Sequence, residues 1–367
     1  MANHLNTSAP EPEGGSMAES GELTFLAAEK LVAWLEALAA REGALLVPSH
    51  AAGTFVPWQG GEPDLTKITM TSAKGVVLPQ HETFLSYAYD SDGKVTVTPR
   101  IADTPTTVFG VRLCDTRGVR CIDQTFGENG PSGADPNYVA RRDATTFIAL
   151  ACTAADVDAA CFCATFGPPD DYGVADLVVH PVEGGYVLRP LSAKGLAAAA
   201  LAPVEQGVPV PEPPLPAQGA AIEIEGIEQK LIEHFDDMEL WSDITEKCLS
   251  CGACSFVCPT CYCFTIADEE RGSDHGDRVR CWDSCGFACY TKEASGHNPR
   301  SSNAQRFRNR VNHKFAYYAE LYSLESCVGC GRCIRACPAG VDIRDMVAAV
   351  LHRGPVASPG SPAEVKA

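Results

Sequence analysis

Apolar residues recur at helical spacing early in the chain, with Leu31, Trp34, Leu35 and Leu38 on one stripe, so residues 24–41 are predicted to form an amphipathic helix stopped by Gly43. The stripe reads as core. From residue 44 to about 201 the pattern becomes mixed. Residues 84–89 and 94–98 flank Ser91-Asp92-Gly93, and residues 178–182 and 186–189 flank Gly184-Gly185, which predicts two hairpins. Two unbroken apolar runs, 106–113 and 146–151, predict buried strands, and each ends at a cysteine. Pro203, Pro209, Pro211, Pro213, Pro214 and Pro216 then fall in a stretch with almost no periodicity, the mark of an extended linker and a domain boundary. Beyond it Ile224, Ile227, Leu231 and Phe235 share one face of a predicted helix.

Composition narrows the class. A chain of 367 residues is long enough for about two domains. Its 29 Lys+Arg against 47 Asp+Glu, a net charge of -18, disfavour nucleic acid or an anionic membrane as partner. No apolar run is long enough to span a bilayer, and residues 1–22 lack the apolar core of a signal peptide. The 18 cysteines are therefore read as thiols in a reducing cytoplasm and not as a disulfide scaffold, and Asn6-Thr7-Ser8 as a chance glycosylation sequon.

The cysteines carry the chemistry. Cys-x2-Cys-x2-Cys-x3-Cys-Pro occurs twice, as Cys248, Cys251, Cys254, Cys258, Pro259 and as Cys327, Cys330, Cys333, Cys337, Pro338. Two such runs are the signature of a pair of [4Fe-4S] clusters, in which the fourth cysteine of each run serves the other cube. The expected ligand sets are Cys248, Cys251, Cys254 with Cys337, and Cys327, Cys330, Cys333 with Cys258. Zinc competes for Cys-x2-Cys pairs but gives no reason for the third and fourth cysteine of each run. In the first half, Cys114 and Cys152 follow the two buried strands and Cys161-Phe162-Cys163 comes shortly after; gathered at one sheet edge, the four would hold a third [4Fe-4S] cluster. Cys121 reads as packing. Cys281, Cys285 and Cys289, spaced by four as on one helix face, read with Cys261 and Cys263 as shielding for the clusters, with a fourth metal site as the alternative.

The expected fold class is α+β: a disordered tail at 1–22, a mixed α/β domain at 23–202, a Pro-rich linker at 203–220, a largely helical two-[4Fe-4S] ferredoxin-like domain at 221–352 with an insertion at 259–326, and a disordered tail at 353–367. The insertion ends in a basic island, Arg300, Arg306, Arg308, Arg310 and Lys314, open to three readings: a solvated face, charge balance for the clusters, or a docking patch. No Gly-x-Gly-x-x-Gly loop follows a strand, so no dinucleotide fold of that type and no catalytic site of the chain's own is expected. His297, beside Gly296 and Asn298, reads as structural.

Several motifs together resemble a known family. The stretch from Val108 to Asp115, Cys161-Phe162-Cys163, Cys258-Pro259-Thr260-Cys261-Tyr262-Cys263-Phe264, Trp282-Asp283-Ser284-Cys285, Gly296-His297-Asn298 and the stretch from Val328 to Ile334 resemble the beta subunit of cytoplasmic NAD(P)-linked [NiFe] hydrogenases, the sulfhydrogenases. They are equally similar to the A subunit of anaerobic sulfite reductase. The resemblance covers about residues 24–351. It implies an electron-transfer subunit between a flavin- and NAD(P)-binding subunit and the small and large subunits of a [NiFe] hydrogenase, or a sirohaem sulfite reductase subunit in the alternative. A free-standing iron-sulfur redox sensor is the reading from a different class.

Overall fold

The computed structural model describes residues 21–128 and 130–354. The tails expected to be disordered, 1–22 and 353–367, lie outside the described residues but for two positions each. Among the described residues the strands are β1 (Thr24–Ala27), β2 (Ala44–Ser49), β3 (Thr54–Pro57), β4 (His81–Tyr89), β5 (Val95–Pro99), β6 (Thr106–Arg112), β7 (Thr145–Leu150), β8 (Leu177–Val182), β9 (Gly185–Pro190), β10 (Phe264–Glu270) and β11 (His275–Trp282). With the helices between them they make a mixed α/β fold.

The larger sheet runs β1-β9-β8-β7-β6-β2-β3, parallel across β8, β7, β6 and β2 and antiparallel toward both edges. Its central strands are apolar throughout because both faces are covered. Phe109, Ile148, Leu150 and Leu177 pack with Trp34, Leu35 and Leu38 on one side. Val108, Phe147, Ala149 and Val178 pack with Val119, Ile122 and Tyr138 on the other. Full burial of each large side chain contributes roughly 2 kcal/mol. Both expected hairpins are present, β4 with β5 and β8 with β9. The first helix is shorter than its apolar spacing suggests: Leu31–Ala39 is helical, while Thr24–Ala27 is strand β1. Pairing with the open edge of β9 supplies backbone partners there and buries Leu26 completely.

A second sheet, β10-β11-β4-β5, joins a hairpin of the 259–326 insertion to the hairpin near residue 90. Glu82 of β4 is fully buried and anchors the seam, accepting hydrogen bonds from Arg141 and, at 2.6 Å, from Arg280 of β11, which also reaches Asp135. The helix face expected for Cys281, Cys285 and Cys289 does not exist. Cys281 lies in β11 opposite His81, where strand pairing takes the backbone groups a helix would use, and Cys285 and Cys289 lie in the turns that follow.

The helices Ile227–Glu233, Met238–Thr245, Asn303–Asn312 and Ile343–Leu351 enclose a third core around Trp241, Phe307, Val311 and Val347, which also takes in Phe162 from before the Pro-rich stretch. The end of that stretch packs closely: the Ala217 N–H bonds the Cys152 carbonyl at 2.8 Å and the Gly219 N–H points at the Cys163 sulfur at 3.4 Å. Among the described residues no helix is long and apolar enough to cross a membrane.

Candidate metal centres

The first run leaves the helix Met238–Thr245, with the Cys248 N–H bonded to the Thr245 carbonyl, and turns at Gly252 into the short helix Ala253–Phe256. Cys248, Cys251 and Cys254 face a cavity whose far wall carries Cys337 from the second run. The four cysteines of the first expected set are thus brought together, with apolar Phe307, Val341 and Ile343 around them. The Val341 N–H donates to the Cys337 sulfur at 3.2 Å.

Cys327, Cys330 and Cys333 form the second grouping with Cys258, whose charge acts on all three. Burial pushes the Cys327 thiol up to about 11. Cys258 goes the other way: the neighbouring Cys261 thiol and the positive charges of Lys314 and Arg310 hold it well below the usual thiol range. Thr260 pins this corner by donating to the Ser326 carbonyl at 2.8 Å.

The third expected set also converges. Cys114 stands in the first turn of the helix Leu113–Phe126 at the carboxyl end of β6, and Cys152 just past β7, so neighbouring parallel strands deliver both thiols to one edge of the sheet. Cys161 and Cys163 complete a cavity closed by Pro216, Ala217 and Cys330. The second run presses against this loop. The Phe162 N–H bonds the Gly329 carbonyl at 2.8 Å, and a side chain on Gly329, at φ +61°, would lie 2.5 Å from the Phe162 backbone. Arg335 donates to the Cys161 sulfur at 3.0 Å, while Arg332, paired with buried Asp115 at 2.9 Å, reaches toward Cys114 at 3.8 Å.

Buried cations between these groupings are what sequence reasoning missed. Lys74, Arg310 and Lys314 are all 4% exposed or less. Lys314 meets the Cys258 sulfur at 3.4 Å, Thr260 at 2.9 Å and the Ser326 carbonyl at 2.7 Å. Arg310 meets the Cys261 sulfur at 3.3 Å, Ser255 and the Cys254 carbonyl. Lys74 donates to the Ser255 and Cys261 carbonyls and lies 4.0 Å over the Trp282 ring. Among the described residues none of the three has a carboxylate partner. An uncompensated buried charge costs several kcal/mol, so the missing anion has to be found among the sulfurs. Burial opposes the charge of Lys314, but Cys258 and Cys261 outweigh it and raise its pKa. Lys74, further from sulfur, is lowered by burial to about 8.

Two readings of the basic island fail for Arg306, Arg310 and Lys314: being buried, they are neither a solvated face nor a docking patch. The helix widens into a π-turn over His313–Tyr317 where Lys314 turns toward Cys258. The signal was present in the spacing, since Arg306, Arg310 and Lys314 each precede a residue of the apolar stripe Phe307, Val311, Phe315. His297 is exposed on the surface.

The chemistry of the donor sets fits cubes better than single ions. Four thiolates around one zinc would lie within about 4 Å of one another. Among the described residues no three His, Cys, Asp or Glu side chains converge closely enough for one ion. A four-iron cube holds its thiolates apart at its corners.

Residues 247–341 match the family model described as a 4Fe-4S dicluster domain. Over 249 residues the chain is 30% identical to sulfhydrogenase 2 subunit beta of Pyrococcus furiosus, an alignment spanning 64% of this chain and 71% of that protein. No solved structure matches. The chain is accordingly an iron-sulfur protein that belongs to the family of hydrogenase beta subunits.

Proposed function

We propose that this chain is the electron-relay subunit of a cytoplasmic hydrogenase complex, holding three [4Fe-4S] clusters between a flavin- and NAD(P)-binding subunit and the small and large subunits of a [NiFe] core. The observation that carries the reading is a set of buried cations with no carboxylate partner among the described residues: Arg310 and Lys314, which face sulfur, and Lys74, held by the Ser255 and Cys261 carbonyls. Cys248, Cys251, Cys254 and Cys337 would hold one cluster, Cys327, Cys330, Cys333 and Cys258 the second, and Cys114, Cys152, Cys161 and Cys163 the third. When bound, such groups supply one-electron transfer. The protein's part is to exclude water, neutralise charge and set spacing.

The middle position belongs to the second set. Cys330 lies on the wall of the third cavity and Cys333 on the wall of the first, so one run touches both neighbours. At the first cavity Cys251 is exposed, which gives that end of the series access to the surface. The two-domain division at 203–220 belongs to this proposal in a qualified form: the halves share the second sheet and the third core.

Anaerobically purified protein is expected to carry about twelve irons, four per cube, and Cys163→Ser to lose about a third of them together with one EPR-distinct centre. Stoichiometric zinc with little iron would overturn the proposal. A Cys163→Ser protein with unchanged iron and spectrum would remove the third cluster from it.

A further inference from the structure

The second sheet ends in an open edge. Its strands run β10-β11-β4-β5, and among the described residues no strand lies on the far side of β5. The Asp90 N–H bonds the Lys94 carbonyl at 3.0 Å, and the Arg100 N–H bonds the Phe84 carbonyl at 2.9 Å. Bonded and non-bonded residues alternate along an antiparallel pair, so Thr96 and Thr98 also face β4, while Val95 and Val97 turn their N–H and C=O groups outward. Sheet edges are commonly blunted by charge or proline. The opposite edge, β10, carries Asp268, Glu269 and Glu270, whereas β5 runs uncharged from Val95 to Thr98 between Lys94 and Pro99.

The same edge borders a groove. Leu85, Tyr87 and Tyr89 of β4 share one face with Val95 and Val97 of β5, and an open groove of about 440 Å³ runs over them. Val95, Val97 and Tyr89 are 47%, 53% and 49% exposed, so among the described residues nothing covers this face. Its aromatic part is set in advance. A side chain at Gly276 would meet the Tyr87 hydroxyl at 2.5 Å, so that ring lies across β11, and Tyr89 packs on it edge to face at 6.1 Å.

Charge selects the occupant. Asp268, Glu270 and Asp274 line the groove against one base, Arg278, which is already bonded to Asp268 at 2.7 Å; His275 rests on Asp274 at 2.8 Å. Arg100 is turned away to Ser86, at 2.8 Å on the other face. A second copy of this chain would bring the same acids to the same groove, and each copy has a net charge of -18. The fitting partner is a different, basic protein.

We propose that β5 is a docking edge for an extended segment of another protein, apolar along its centre and basic at one end. The segment adds a strand to the sheet: its backbone bonds Val95 and Val97, and its apolar side chains continue the face those valines make with Tyr87 and Tyr89. Basic residues leaving the strand beside Tyr89, whose N–H bonds the Asp274 carbonyl at 2.7 Å, meet Asp274 and Glu270. This surface is independent of the iron-sulfur reading.

The test uses the full-length protein as purified, with fluorescein-labelled peptides of alternating valine and threonine that end in lysines or, for comparison, in glutamates. By anisotropy the lysine peptide is expected to bind about tenfold more tightly than the glutamate peptide and to weaken with added salt. Hydrogen exchange with the lysine peptide bound should slow at Val95 and Val97. Val97→Pro removes one outward N–H, in the register Pro99 already occupies, and is expected to abolish binding with iron content and urea midpoint unchanged. Val97→Lys, which keeps the N–H and places like charge on the edge, should weaken binding as well. Failure of the lysine peptide to bind, equal binding of both peptides, or full affinity in both Val97 variants would overturn the proposal. So would a dimer of this chain, seen by ultracentrifugation, that either variant dissolves, since it would give the edge to a second copy.

Discussion

Arg310 concentrates the electrostatics of the molecule in one side chain: Cys254 of the first run, Cys258, and Cys333 of the second all act on it, and no acid answers it. A positive charge stabilises the reduced, more negative form of a nearby cluster. At an effective dielectric constant of about 20 and about 6 Å, one charge is worth about 3 kcal/mol, or on the order of 100 mV for one electron. Arg310→Gln is therefore expected to lower the midpoint potentials of the two C-terminal centres by up to that amount, and Arg310→Lys to restore most of it. Redox titration followed by EPR measures the shift; unchanged potentials in an iron-replete Arg310→Gln protein would show that its charge is compensated elsewhere. Lys74 could not have been picked out from its neighbours alone. It sits within Ala73-Lys74-Gly75-Val76-Val77, and whether such a lysine points to water or inward depends on the Cys261 loop and the Trp282 ring, both far away in the chain.

Among the elements, the β4–β11 seam ties the insertion to the first half of the chain. Its buried ion network has the asymmetry expected of charges in a poor solvent: breaking one partner is worse than removing all of them. Glu82→Ala would leave Arg280 and Arg141 without their shared carboxylate and is expected to cost about 3–5 kcal/mol, whereas Glu82→Leu combined with Arg280→Leu should recover much of the loss. Urea unfolding midpoints of the variants measure this, and a cost below about 1 kcal/mol for Glu82→Ala would mean that water reaches the seam. The two hairpins and the two buried strands were legible because turn residues and local periodicity specify them. β1 and the placement of Cys281 were not, because both depend on a partner strand supplied from elsewhere.

Across the whole molecule the two runs are interlocked: Cys337 lines one cavity with Cys248, Cys251 and Cys254, and the charge of Cys258 acts on Cys327, Cys330 and Cys333. Cys337→Ser is thus expected to empty the centre held by Cys248, Cys251 and Cys254, about four irons, and to leave the centre beside Lys314 in place. Iron analysis with EPR of the reduced variant decides it. Loss of the centre at Cys327, Cys330 and Cys333 instead would mean that each run serves its own cube.

The sequence alone determined the chemistry and most of the local structure. The cysteine spacing within each run is a short-range feature that marks the dicluster domain by itself, and the strand ends at Cys114 and Cys152 are equally local. Tertiary structure decided where charge is buried and where the remaining cysteines stand. Arg306, Arg310 and Lys314 form a basic island when read in line, yet packing of Phe307, Val311 and Phe315 turns all three inward, Arg310 and Lys314 onto sulfur and Arg306 onto the Gly286 and Ser301 carbonyls. Cys263 and Asp283 are 20 residues apart in sequence, and only the β10–β11 hairpin brings the Asp283 N–H onto the Cys263 carbonyl. Burial and long-range pairing depend on every element that packs around a site, and no local window of residues contains them.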